Sequence, residues 1–274
     1  MKAADMYKVD GYGVIVTGGA SGIGLGFTEV LAENGARVTM LDIHQERLDH
    51  ETRRLRDKGW DVRGMNVDVT DHGALDRAFD ETARLYGRLD VAFANAGIDP
   101  GIGFVTLDRS RRLSDGAIEN YADERWNHVI DINLNGVFAT IRAAARQMKP
   151  RKSGRIIVTT SMAALYIEAG IGAAYMAAKA GAAHLMRNAA LELAKYNILV
   201  NAVAPGPFIT NIGGGWMHTK QVQDAFSAGV PLGRAASTEE MKGLALFLAS
   251  PASSYITGAQ IPIDGGCLLG NVAD

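Results

Sequence analysis

Tyr175 and Lys179 stand four residues apart in Tyr175-Met176-Ala177-Ala178-Lys179, with Ser161 upstream. On a helix that spacing puts a phenol and an ammonium on one face. A free tyrosine loses its proton only near pH 10, about three units too high for a base at neutral pH. A neighbouring cation favours the phenolate and lowers that value. A tyrosine so placed can exchange a proton with an alcohol oxygen near neutral pH. Alone, the spacing says little. A tyrosine at the core edge of an alanine-rich helix, with a solvated lysine one turn on, gives the same pattern.

A second constellation lies near the N-terminus. Thr17-Gly18-Gly19-Ala20-Ser21-Gly22-Ile23-Gly24 joins an apolar run to a helical pattern. Gly18 and Gly22 can take positive φ in a tight turn, and Gly24 lets the helix pack close to the sheet. Free N–H groups and a partial positive charge at a helix start suit a pyrophosphate. An acid follows at the end of the second strand, Asp42. Its carboxylate can accept hydrogen bonds from both hydroxyls of an adenosine ribose and would repel a 2′-phosphate, so NAD is expected over NADP. Asp42 could instead cap the next helix. Leu25 stands where a phosphate-binding loop of ATPases needs lysine, which removes that reading.

Elements that could position these groups alternate along the chain. Strands are expected over residues 13–17, 36–42, 61–67, 89–94, 154–160, 198–203 and 260–264, the last a proline-marked edge strand. Helices are expected over 22–34, 45–58, 71–86, 122–148, 173–196 and 238–248. Asp71 is placed to cap the third of them, and Ser237 or Thr238 the last. Strands alternating with helices imply one doubly wound α/β domain, a parallel sheet of about seven strands with helices on both faces. Residues 98–121 and 205–231 lack a clear period. Stretches of that length usually form binding loops, and both follow strands, which puts them at the carboxyl edge of the sheet.

The 274 residues are 47% hydrophobic, enough for a sizeable core and too many for a disordered chain. Cys267 is the single cysteine, so no internal disulfide forms and a reducing compartment is expected. A net charge of -2 with no long basic run argues against nucleic acid. The first residues lack the apolar core of a signal peptide, and the alanine-rich run at 173–186 is interrupted by Lys179 and His184, so no membrane association is expected and the cytoplasm is the expected location. Six histidines show no metal-ligand spacing, and no metal is expected. His184 reads as a packed helix residue. Arg109, Arg111 and Arg112 read first as a solvated loop, with an anionic substrate as the alternative.

Taken with these residues, the chain resembles the short-chain dehydrogenase/reductase family from about Gly13 to Gly266. Thr17-Gly18-x-x-x-Gly22-x-Gly24 looks like its cofactor turn, and Asp42 occupies its NAD-selecting position. Asp68-Val69 resembles the adenine-side pair, and Asn95-Ala96-Gly97 the motif ending the fourth strand. Asn133, Ser161, Tyr175 and Lys179 match the catalytic tetrad. Pro205-Gly206, Phe208 and Thr210 match the segment beside the nicotinamide, and Ile263-Asp264-Gly265-Gly266 the C-terminal signature. Three departures stand out. The interval from Ser161 to Tyr175 is one residue longer than usual. Residues 98–121 read as an insertion, and Phe208 replaces a smaller aliphatic residue.

The resemblance implies a Rossmann fold and hydride transfer between nicotinamide and a secondary alcohol or its ketone. Tyr175 is the expected acid/base, and Lys179 binds the nicotinamide ribose while lowering the tyrosine pKa. Ser161 donates a hydrogen bond to the substrate oxygen. Asn133 holds a water that relays protons from Lys179; its alternative is a local helix distortion. A dimer or tetramer is also implied, through the helix carrying Tyr175. Met162, Leu165, Tyr166 and Phe208 are expected to line the substrate pocket and to favour an apolar cyclic or aromatic alcohol, with a sugar, a polyol or a carboxylated alcohol as alternatives. Two readings from other classes are a dinucleotide-sensing binding protein and a methyltransferase. Neither has use for Ser161, Tyr175 and Lys179 together.

Overall fold

Val14, Ile15 and Val16 are β-branched, which suits a pleated strand buried on both faces, and each is fully buried. The same logic builds a seven-stranded sheet in the computed structural model, which describes residues 2–98, 101–106, 109–212 and 215–270. The strands are β1 (Gly13–Thr17), β2 (Arg37–Asp42), β3 (Val62–Asn66), β4 (Val91–Ala94), β5 (Gly154–Thr159), β6 (Ile198–Pro205) and β7 (Gln260–Ile263). Their order is β3-β2-β1-β4-β5-β6-β7, and every adjacent pair is parallel. This is the single doubly wound domain expected, and β7 lies at an edge.

Side-chain alternation sends the strand residues to two cores. Ile15 joins Leu75 and Phe79 of α3 (His72–Tyr86), Ile141 and Met148 of α5 (Gly136–Met148), and Met186 of α6 (Ala173–Leu193). Val14 and Val16 join Phe27 and Leu31 of α1 (Gly22–Glu33), Leu48 and Leu55 of α2 (Gln45–Arg56), and Met241 and Leu248 of α8 (Glu239–Ala249). Phe27 stacks on Phe93 of β4 with centroids 4.5 Å apart. On α6 the buried stripe Ala174, Ala178, Ala182, Met186, Ala189 and Leu193 follows the helical period. These small side chains bring the helix close to its neighbours, and they bring Lys179 into the interior with them.

Several expectations need correction. The helix expected over 122–148 is α4 (Asp123–Ile130), a π turn (Asp131–Asn135) and α5 in one run. Asp71 caps α3 as expected, its Oδ1 accepting the Ala74 N–H at 2.9 Å. At α8, Thr238 holds the cap position without a side-chain bond. Glu240 instead accepts the Ser237 N–H at 2.9 Å and is gripped by Arg234. The stretch 205–231 is not all irregular, because α7 (Lys220–Ser227) lies within it. His184 is exposed, since it falls on the face of α6 opposite the alanine stripe. Asp99, Pro100, Leu107 and Asp108 of the 98–121 stretch, and Gly213 and Gly214 of the glycine run, lie outside the described residues. Among the described residues no helix is long and apolar enough to cross a membrane.

Candidate active site

Strand order reverses between β1 and β4, and the loops at their carboxyl ends part there to leave a crevice. Three residues hold its floor together. Thr17 Oγ1 donates to the Phe93 carbonyl at 3.1 Å and accepts the Asn95 and Ala96 N–H groups at 2.9 and 3.1 Å. Asn95 Nδ2 donates to the Thr17 carbonyl at 3.0 Å, while its Oδ1 accepts from Thr159 Oγ1 at 3.0 Å. Asn95 thereby joins the ends of β1, β4 and β5. Gly24 must be glycine, because a Cβ there would overlap the Gly18 carbonyl oxygen and lie 2.5 Å from Asn95 Nδ2. Gly18 takes φ +64° and Gly22 φ +53°, as the turn requires.

A cleft of about 760 Å³ opens above this floor. It brings together Gly18, Ser21, Ile23, Gly24, Asp42, Asp68, Val69, Asn95, Ala96 and Gly97 on one side, and Asn133, Ser161, Tyr175, Lys179, Pro205, Gly206, Phe208 and Thr210 on the other. Gly22 is not among the cleft-lining residues, though a Cβ there would stand 3.4 Å from the side chain of Thr210, which does line the cleft. Asp42 is 6% exposed. Its Oδ2 accepts the Ala20 N–H at 3.2 Å and its Oδ1 the His44 N–H at 3.1 Å. These bonds close the turn that precedes α2 and do not cap the helix itself, whose N-cap is His44 without a side-chain bond; a carboxylate retains lone pairs for further donors. Asp68 Oδ1 accepts the Thr70 N–H at 2.8 Å, and Gly136 permits Val69 to pack where a Cβ would collide. His44, Arg47 and His128 also line the cleft and were missed. Arg47 lies in the first turn of α2, the helix that follows directly on Asp42 at the end of β2, which was the available signal.

Lys179 is 3% exposed, and its Nζ donates to the Thr159 carbonyl at 3.0 Å. Burial lowers its pKa to about 8. Nζ lies 5.4 Å from the centre of the Tyr175 ring, so the helical spacing does place the two together. Asn133 sits in the π turn, fully buried, with Nδ2 donating to the Val129 carbonyl at 3.2 Å and Oδ1 accepting the Ile98 N–H at 3.3 Å. The helix distortion is thus real, and it aims the amide oxygen into the site. A Cβ at Gly97 would stand 2.7 Å from Asn133 Oδ1 and 3.5 Å from Lys179 Nζ, so both atoms face one small space. Ser161 Oγ accepts the Ala163 N–H at 3.1 Å.

A second cavity, about 790 Å³, adjoins the first and shares Ser161, Tyr175, Gly206, Phe208 and Ile212 with it. Met162, Tyr166 and Phe208 line it; Leu165 does not and is half exposed. The 98–121 stretch contributes Arg109, and α7 contributes Ala225 and Phe226. Cys267, Leu268 and Leu269 close it from the C-terminal end, a contact between distant parts of the chain that no local pattern signals. Burial pushes the Cys267 thiol up. Arg109, Arg111 and Arg112 are all exposed, as a solvated loop requires; Arg109 also lines this chamber, and Arg112 lies over the Phe104 ring at 5.9 Å. Among the described residues no group of three His, Cys, Asp or Glu side chains is placed to hold a metal.

Known proteins resemble this chain over nearly its whole length. The family model described as enoyl-(acyl carrier protein) reductase matches residues 18–267. A 3-oxoacyl-[acyl-carrier-protein] reductase of Thermotoga maritima is 35% identical over 262 residues, covering 96% of this chain and all of the relative. The cis-4-hydroxycyclohexanecarboxylate dehydrogenase of Sinomonas cyclohexanicum is 38% identical over 253 residues, 92% of this chain and 94% of the relative. A gluconate 5-dehydrogenase from Burkholderia cenocepacia, solved with NADP and tartrate, superposes with a TM-score of 0.86 at 31% identity, covering 98% of this chain and 100% of its own. The chain belongs to the short-chain dehydrogenase/reductase family and is an oxidoreductase of that type.

Proposed function

We propose that this protein interconverts a secondary alcohol and its ketone with NAD, and that the alcohol is apolar and cyclic or aromatic. The observation that carries the reading is the double position of Ser161 and Tyr175, which line both the cleft and the adjoining chamber. A reacting carbon in the chamber and a nicotinamide in the cleft would meet beside their hydroxyls. The glycine cradle under the cleft fits a dinucleotide, because a Cβ at Gly24 would fill the space where the backbone must pass. When bound, the nicotinamide accepts or gives the hydride.

The chain's own residues would supply geometry and the proton. In the oxidation direction, Tyr175 takes the hydroxyl proton as the alcohol carbon gives up its hydride. Lys179 favours the phenolate by proximity. Ser161 keeps one lone pair on the Ala163 N–H and turns its own proton toward the substrate oxygen, which fixes that oxygen near the phenol. Asn133 and Lys179 flank a space in which a water can pass the proton outward. Asp42 retains acceptor capacity for ribose hydroxyls and would repel a 2′-phosphate, which favours NAD. The relative acting on cis-4-hydroxycyclohexanecarboxylate supports a ring alcohol. The chamber's Met162, Ile171, Phe208, Met217 and Phe226 offer a sugar few polar partners. Residues 98–121 and 205–231 serve as substrate-site loops in this reading, and the chain is taken as a dimer or tetramer, which light scattering on the purified protein checks.

Tyr175→Phe removes one oxygen and keeps the ring. It should bind NADH with wild-type affinity in a fluorescence titration and lose turnover of cyclic alcohols by about 10²–10⁴-fold. Unchanged turnover in that variant refutes the role given to the phenol.

A further inference from the structure

The two departures in chain length from the family pattern meet in space. Ile102 bridges antiparallel to Ile171, the Gly103 N–H donates to the Gly170 carbonyl at 3.0 Å, and the Gly172 N–H donates to the Gly101 carbonyl at 3.2 Å. A Cβ at Gly103 would overlap the Ala169 carbonyl oxygen, so this seam depends on glycine. The insertion is thereby fastened to the segment that runs from Ser161 to Tyr175. Beyond the seam the chain doubles back, with Val105 bridging antiparallel to Arg112 and the Arg109 N–H donating to the Thr106 carbonyl at 2.8 Å.

Arg109 takes φ +58° in this turn. That backbone is unfavourable for a residue with a Cβ, and glycine would satisfy it better. Arginine brings a guanidinium to the point instead. Its Nη2 donates to Glu168 Oε2 at 3.2 Å and lies 3.5 Å from the Tyr166 hydroxyl. Glu168 is itself steadied, its Oε1 accepting the Gly170 N–H at 3.3 Å. Arg109 and Glu168 are the two charged side chains among the described residues lining the chamber. The pair is loose and the Arg109 side chain is 60% exposed, so as an ion pair it contributes little. The bonds to Glu168 and Tyr166 run through Nη2, and a guanidinium so oriented can grip an incoming carboxylate through paired N–H donors.

We propose that Arg109 determines specificity by receiving a carboxylate at the end of the substrate remote from the reacting carbon, with Glu168 holding the guanidinium in position beforehand. The substrate class is then a cyclic secondary alcohol, or its ketone, that carries a ring carboxylate. This rests on the dehydrogenase reading above and narrows it. The chamber, at about 790 Å³, has room for a ring between Tyr175 and Arg109.

The test compares 4-hydroxycyclohexanecarboxylate with its neutral carboxamide, each assayed with NAD. Wild type should favour the acid in kcat/KM by about tenfold or more, the scale of one charge-assisted contact. Arg109→Gln should cut that preference by about tenfold, the loss falling on KM for the acid. Arg109→Gly, which the turn accepts, should do the same and excludes a folding defect as the cause. A wild-type preference for the carboxamide, or an acid preference untouched in both variants, overturns the assignment and leaves the dehydrogenase reading in place. So does turnover of other cyclic alcohols with neither probe oxidised. If no secondary alcohol is oxidised at all, the proposed function falls as well.

Discussion

An ammonium inside a protein, without an acidic partner, works against folding. Lys179 is in that position: its nearest acceptor is the neutral Thr159 carbonyl, and burial alone brings its pKa from 10.5 to about 8. The folded value lies below the unfolded one, so between pH 8 and 10.5 the unfolded chain binds more protons. Stability contributed by this site therefore rises with pH through that window, and below it the penalty is constant. From pH 7.5 to 9.5 the gain should be about 2 kcal/mol. Urea unfolding of the cofactor-free protein at both pH values, beside a Lys179→Met variant, isolates it. Wild type should gain on the variant as pH rises; parallel behaviour of the two would falsify the claim that a charged amine is buried here. The charge is then retained for work at the site, since the fold would be more stable without it.

At the level of elements, two helical glycines make opposite predictions. Gly24 in α1 has the Gly18 carbonyl where a Cβ would go, whereas Gly243 in α8 has nothing within 4 Å. Alanine gains up to about 1 kcal/mol of helix propensity at either place. Gly243→Ala should therefore stabilise by about 0.5–1 kcal/mol. Gly24→Ala should destabilise by about 2 kcal/mol as the cofactor turn is pushed away, and should weaken NADH binding. Thermal melts and NADH titrations of both variants check this, and equal signs would show that α1 does not press on the turn. The glycine-rich turn was legible in the sequence because Thr17 to Gly24 is contiguous and each glycine answers a local need. Tyr175 and Lys179 were legible for the same reason. The π turn was not, since Asp131 to Asn135 carries no proline or glycine to mark it. Helix α7 was overlooked beside its glycine-rich neighbours, although Val222 with Phe226 and Lys220 with Asp224 have helical spacing. The seam between residues 101–103 and 170–172 is backbone pairing of two single isoleucines, each flanked by glycines, too short to leave an alternating strand pattern.

On the scale of the whole molecule, the cleft lies across the join between the two halves of the sheet. Its walls come from the ends of β1 and β2 in one half, and from the ends of β4, β5 and β6 in the other. A dinucleotide held there touches both halves, so neither half can unfold without releasing it, and binding should stabilise the entire domain by mass action. NADH at one hundred times its Kd should add about 2.7 kcal/mol. For a chain of this size that raises Tm by about 5–10 °C. The comparison with NADPH then tests Asp42 through the same linkage, with no need to know the substrate. NADPH at the same concentration brings a 2′-phosphate toward a carboxylate that is already fixed by the Ala20 and His44 N–H groups and cannot turn away. Its shift should be much smaller, and Asp42→Ser should narrow the gap between the two cofactors. Arg47 lines the same part of the cleft and is the group that could neutralise the phosphate. A shift with NADPH equal to or larger than that with NADH would mean that Arg47 outweighs Asp42, and the cofactor assignment would have to be reversed.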